Sequence, residues 1–250
     1  MRGWQFPWAQ LTKLRIDMAP SCSCVTHELR QVLSMLQSVE ELRLTYFCAP
    51  QIRQPAARLS RLRLLEITPF TPEPFSWIIT PCLEHIQVGC MGDQVNEEEI
   101  STAISSLLCR SCCHIRPLSI LYCGITQSRM IMKALASVEE LSILDFPWNI
   151  QSILGVDLCI YLPKLRVLQM TCCQSIDPER DREFIAKVSR FLETRREESR
   201  SGLSHDFAPF EKLVLRLHWN LDWAISHNTL DATRSWPSFV DVYVNDLLLE

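Results

Sequence analysis

One six-residue phrase, apolar at its first, fourth and sixth positions, returns along the chain, and no other feature narrows the fold as far. It reads LTKLRI at 11–16, VEELRL at 39–44, LRLLEI at 62–67, LEHIQV at 83–88, IRPLSI at 115–120, VEELSI at 138–143 and LRVLQM at 165–170. Looser copies are FEKLVL at 210–215 and FVDVYV at 239–244. In an extended strand alternate side chains share a face, so the fourth and sixth positions point one way while the first packs the preceding turn. A single strand this short is unstable. Stacked strands each lend an inward pair to a common core, where burying a large apolar side chain is worth about 1.5 to 3 kcal/mol before conformational entropy is subtracted.

Helical periodicity fills the intervals. Leu29, Val32, Leu33 and Leu36 predict a helix over 27–38. Asn96 is a cap, Glu97, Glu98 and Glu99 sit against the positive helix end, and Ile100, Ile104, Leu107 and Leu108 form the buried stripe. Residues 127–136 and 149–162 are expected to play the same part. Pro69, Pro72 and Pro74 allow at most a short turn before Phe75, and 50–59 reads as irregular or as a short helix. Asp177 and Pro178 open a long helix with Phe184, Ile185, Val188, Phe191 and Leu192 on one face, and the run ETRREESRS after Leu192 reads as a solvated end. The phrase, its step of roughly 21 to 32 residues, and Cys173 placed three residues after Met170 are those of a leucine-rich repeat. The expected fold is therefore α/β, an irregular leucine-rich-repeat solenoid with parallel strands on the concave side and helices on the convex side. It forms one array over 1–250 with about nine repeats, a helical insertion at 177–202 and divergent repeats at 207–250. A doubly wound α/β domain alternates strands and helices in the same order and stands as the alternative. Residues 1–10, with Trp4, Phe6 and Trp8, are expected to cap the first strand or to continue a part that the chain no longer contains, and Trp219, Trp223 and Trp236 to shield the last repeats.

The balance of 25 Lys and Arg against 29 Asp and Glu gives a formal charge of −4, without the basic field of a nucleic-acid binder. No run of about 20 apolar residues could span a membrane, and the first residues lack a signal-peptide core. Twelve scattered cysteines without an export signal are expected to be reduced, which suggests cytoplasm or nucleus. Cys109, Cys112, Cys113 and His114 make a C-x-x-C-C-H with zinc-like spacing, but a structural zinc site usually needs a second knuckle, and Cys22, Cys24 and His27 lie several repeats away. Cys109 can instead extend its helix stripe. The six histidines stand apart from any nucleophile or metal motif, and six glycines leave little for a phosphate cradle. No enzymatic activity, cofactor or metal is predicted.

In stacked strands the residue between the fourth and sixth phrase positions faces outward. That row is Arg15, Arg43, Glu66, Gln87, Ser119, Ser142 and Gln169. Two positions on run Asp17, Thr45, Thr68, Gly89, Leu121, Leu144 and Thr171, and two positions before it Lys13, Glu41, Leu64, His85, Pro117, Glu140 and Val167. Leu121, Leu144 and Val167 are expected to be exposed apolar neighbours, a patch that marks a partner site, with Arg15 and Arg43 steering the partner's acidic part.

The segments FPWAQLTKLRI, MLQSVEELRL, LSRLRLLEI, TPCLEHIQV, LASVEELSILD and YLPKLRVLQM together resemble the leucine-rich region of fungal, basidiomycete-type F-box-like domain proteins. There a Pro-Trp-x-Gln-Leu-Thr segment commonly opens the repeats, and LPxLRxLxI and VEELxL phrases follow. The resemblance covers most of the chain. It implies a ubiquitin-ligase substrate receptor, in which an F-box binds the adaptor of a cullin-type ligase and the repeats hold the protein to be ubiquitinated. Only ten residues precede Leu11, too few for the F-box helices and their LPxEIL-like opening. The expectation is a target-reading module whose partner is an unidentified protein, joined by the adaptor only where an upstream F-box exists, with neither nucleic acid nor membrane. A stand-alone repeat scaffold unrelated to ubiquitin is the alternative, and an α/β enzyme or zinc protein a more distant one.

Overall fold

The structure is a computed structural model describing residues 7–17, 26–47, 56–69, 72–89, 97–121, 125–144, 158, 161–172, 178–201, 208–217, 238, 240–244 and 247–248. The chain forms two compact units, Met1–Ile115 and Arg116–Glu250.

In the first unit each phrase has become a strand: β1 (Lys13–Asp17), β2 (Glu41–Phe47), β4 (Leu64–Pro69) and β6 (His85–Gly89). They are parallel neighbours in chain order, paired Leu14 to Leu42, Leu42 to Leu65 and Leu65 to Ile86. The inward pairs Leu42 and Leu44, Leu65 and Ile67, and Ile86 and Val88 are fully buried, as are the first-position Val39, Leu62 and Leu83. Helices α1 (Thr26–Met35) and α2 (Glu97–Ser111) occupy two of the intervals. Leu29, Leu33 and Leu36, and Ile100, Ile104 and Leu107, are buried as their spacing predicts. The proline-rich interval before β6 forms a short 3-10 helix, Glu73–Trp77. It leads into β5 (Ile78–Ile79), which pairs with β3 (Ala57–Arg58) as a small second sheet that the phrase pattern does not announce. The Ser111 hydroxyl accepts from the Thr80 amide at 2.9 Å, and Arg110 Nη2 donates to the Phe75 carbonyl at 2.9 Å, so the end of α2 is fastened to this insertion.

The second unit repeats the plan with β7 (Pro117–Leu121), β8 (Glu140–Leu144), β9 (Val167–Cys172), β10 (Lys212–Leu217) and β11 (Val240–Val244), parallel and in chain order. A short β12 (Leu247–Leu248) pairs antiparallel with β11. Inward pairs from Leu118 and Ile120 through Leu213 and Leu215 are buried. Helix α3 (Ile125–Ala134) falls two residues earlier than its predicted span. Helix α4 (Pro178–Ser201) covers the predicted insertion.

The repeat has a backbone signature. The carbonyl at the second phrase position accepts two successive amides from the next repeat: Thr12 from Glu40 and Glu41, Glu40 from Arg63 and Leu64, Arg63 from Glu84 and His85. In the second unit Arg116, Glu139 and Arg166 do the same, and all twelve N···O distances lie between 2.7 and 3.1 Å. Recurrence of one bond pattern at one phrase position is what a stacked repeat requires.

Two expectations about the second unit are corrected further. Residues after Leu192 do not all face water: Arg195 is 3% exposed, donates Nη2 to the Leu162 carbonyl at 3.1 Å, and lies 5.9 Å from the ring centres of both Phe191 and Phe210. The carbonyl and the two ring faces offset part of the cost of burying the guanidinium. The last phrase is out of step, because Leu213 and Leu215 pair with Val240 and Val242 rather than with Val242 and Val244. At the N-terminus Trp8–Gln10 forms a 3-10 turn beside α1, with Trp8 only half-buried. The expected cap at Asn96, most of the helix at 149–162, and Trp4, Phe6, Trp219, Trp223 and Trp236 lie outside the described residues.

Candidate functional site

The parallel register turns the outward positions of each unit into continuous rows. In the first unit Arg15 stands beside Arg43, Arg43 beside Glu66 and Glu66 beside Gln87. Lys13, Glu41, Leu64 and His85 flank that row on one side, and Asp17, Thr45 and Thr68 on the other. Two arginines side by side repel, and each turns to an acid: Arg15 Nε to Asp17 Oδ2 at 2.7 Å, Arg43 Nε to Glu66 Oε2 at 3.2 Å. Lys13 and Glu41 pair across the same two strands at 2.5 Å. The hydrogen bond from Arg15, helped by the Thr45 hydroxyl, holds the Asp17 carboxyl below its ordinary 3.8. Thr68 is buried and leans over Gly89, where an added Cβ would stand 2.7 Å from the Thr68 hydroxyl oxygen. The first unit's face is thus charged, and its charges are spent largely on one another.

The second unit's face is different. Ser119, Ser142 and Gln169 align as expected, and the row continues through Val214 to Asp241. Leu121 stands beside Leu144, and Thr171, Arg216 and Tyr243 align with one another. Pro117, Glu140, Val167 and Lys212 make the third row. Lys212 pairs with Asp241 at 2.7 Å, and the Arg216 guanidinium carbon lies 4.7 Å from the Tyr243 ring centre. Leu121, Leu144 and Val167 are half-buried rather than exposed, because registered neighbours on strands about 4.8 Å apart shield one another. Ser119 is 5% exposed: a short side chain sinks between Pro117 and Leu121 on the same face. Val214, Arg216, Asp241 and Tyr243 were missed because the last two phrases are loose. Following the alternation of KLVLRL past Leu215 would have put Arg216 on the outward face.

The other candidates stay dispersed. Cys109 and Cys112 are exposed, so Cys109 does not extend the α2 stripe, while burial pushes the half-buried Cys113 thiol above its ordinary 9.0. Among the described residues no three His, Cys, Asp or Glu side chains converge as metal ligands. His114 turns to an open polar groove of about 600 Å³ that also gathers Glu40, Arg61, Arg63, Cys82 and Glu84. No described helix is long and apolar enough to cross a membrane. No family model matches the sequence, and no curated protein matches it.

Proposed function

We propose that the chain is a protein-binding leucine-rich-repeat module, with its outward strand rows on the concave side as the docking face. It serves as the substrate-recognition region of an F-box-like ubiquitin-ligase receptor. The observation that carries this reading is the alignment of outward side chains in register, while the inward side chains of the stacked strands are buried. A fold that holds its outward residues in unbroken rows is suited to contact over a broad surface, and repeat solenoids use such surfaces for partners. The backbone signature at the second phrase position and the sequence resemblance support the repeat type.

Replacing both Leu121 and Leu144 by Asp tests the reading. The folded variant should lose the native partner set seen with the wild-type chain, and an unchanged set would sink the proposal. Recovery of the native protein with the cullin-ligase adaptor supports the receptor role. Recovery with partners but without that adaptor favours a stand-alone scaffold.

A further inference from the structure

At the C-terminal end of α2 three cysteines fall within five residues, Cys109, Cys112 and Cys113, and a docking face on the strands makes no use of them. Cys109 and Cys112 are exposed, whereas Cys113 is half-buried. The backbone brings the two exposed residues together. The Cys112 amide donates to the Cys109 carbonyl at 3.4 Å, closing a tight turn, and the Cys112 thiol donates to the same carbonyl at 3.5 Å. Such a turn holds its end Cα atoms within about 7 Å, and a disulfide spans Cα atoms about 4.4 to 6.8 Å apart. Cys112 has φ 51°, the left-handed backbone that glycine commonly supplies at a helix end, and from there its sulfur turns back over residue 109. Cys113 is the poorer partner, because burial pushes its thiol above its ordinary 9.0 and leaves it less thiolate with which to react.

Between the two exposed cysteines lie Arg110 and Ser111, the residues that fasten α2 to the insertion before β6. Arg110 donates to the Phe75 carbonyl, and the Thr80 amide donates to the buried Ser111 hydroxyl. A bond from Cys109 to Cys112 encloses both anchors in one closed turn. We propose that Cys109 and Cys112 are a dithiol site for low-molecular-weight disulfides such as oxidised glutathione, and that closing the pair clamps the turn that anchors α2. One cysteine thiolate attacks a sulfur of the small disulfide and displaces one small thiol, leaving a mixed disulfide. The second cysteine attacks the protein sulfur of that bond and releases the other small thiol. Two electrons pass to the small disulfide, the two protons leave with the released thiols, and one S–S bond replaces another. With the second thiol held in the same turn, closure is favoured over a mixed disulfide at an isolated cysteine.

The test equilibrates the full chain across ratios of reduced to oxidised glutathione, quenches it in acid, alkylates it and maps every cysteine by peptide mass spectrometry. The bond between Cys109 and Cys112 should be half formed in buffers roughly tenfold or more reducing than those in which Cys82, exposed and outside the cluster, carries glutathione. Cys109→Ser should leave Cys112 with a glutathione adduct, and Cys112→Ser should do the same for Cys109. In the oxidised wild-type chain the Thr80 amide should exchange with solvent severalfold more slowly than in the reduced chain, and circular dichroism should show the same fold in both. Alkylation of both cysteines at the ratio that modifies Cys82, a bond from Cys112 to Cys113, a bond from either residue to any other cysteine, or unchanged Thr80 exchange on closure would each overturn the inference.

Discussion

The two units build the same parallel repeat and finish it with opposite surfaces. In the first, six of the twelve outward positions from β1 to β6 are ionisable at neutral pH as acids or strong bases, and three ion pairs knit them together. In the second, the outward positions of β7 to β9 are almost uncharged, and charge returns only at β10 and β11. Inward positions are interchangeable between the units because a common core fixes them. Outward positions are free of that demand, which is why the difference in function is expected there.

The first unit also contrasts with itself. Leu65, inside the stack, is fully buried, while Leu14 at the same register position on edge strand β1 is half-buried. Leu65→Ala should cost about 2 to 5 kcal/mol and Leu14→Ala clearly less, read from denaturant midpoints of the two variants. Equal costs would mean that the end repeat is packed like the interior. A smaller effect separates the two faces. Gly89→Ala should destabilise by about 1 to 3 kcal/mol because its Cβ meets Thr68, with Thr68→Ala in the same chain restoring part of the loss. Thermal unfolding of the single and double variants reads that coupling. Breaking Arg43 from Glu66 with Arg43→Met should cost about 0 to 1 kcal/mol, and the cost should fade in concentrated salt, as expected of a solvent-accessible pair. The smallest effect is the pH response of Asp17. Its folded pKa is lowered, so its contribution is present above the ordinary 3.8 and is lost as pH falls through the folded value. Asp17→Asn should flatten that part of an acid titration of stability, and an unchanged titration would remove Arg15 from the account.

Most of the strand framework was legible because the phrase couples two periods at once: alternation within a strand and recurrence between strands. Arg15, Arg43, Glu66 and Gln87 fell into one row, and Ser142 and Gln169 into another, from that arithmetic. Burial was less legible. Ser119, Leu121 and Leu144 were assigned to the right face, yet how far each protrudes depends on the size of neighbours on adjacent strands. Arg195 was hidden for a related reason, since charge near a helix end signals water unless other segments bring it partners, as Leu162 brings a carbonyl and Phe210 a ring beside that of Phe191 one turn away. The register of β11 could not be read from FVDVYV, where hydrophobic residues alternate over six positions and a shift by two leaves the pattern nearly unchanged.

The most direct test of the central claim places a photo-crosslinking residue at Ser142, on the outward strand row, and separately at Lys133, on the exposed side of α3. The account predicts that irradiation in native cells joins a defined partner protein through position 142 and leaves position 133 largely free of adducts. Partner adducts through position 133 with none through position 142 would contradict it, and would move the binding surface to the helical side of the repeat.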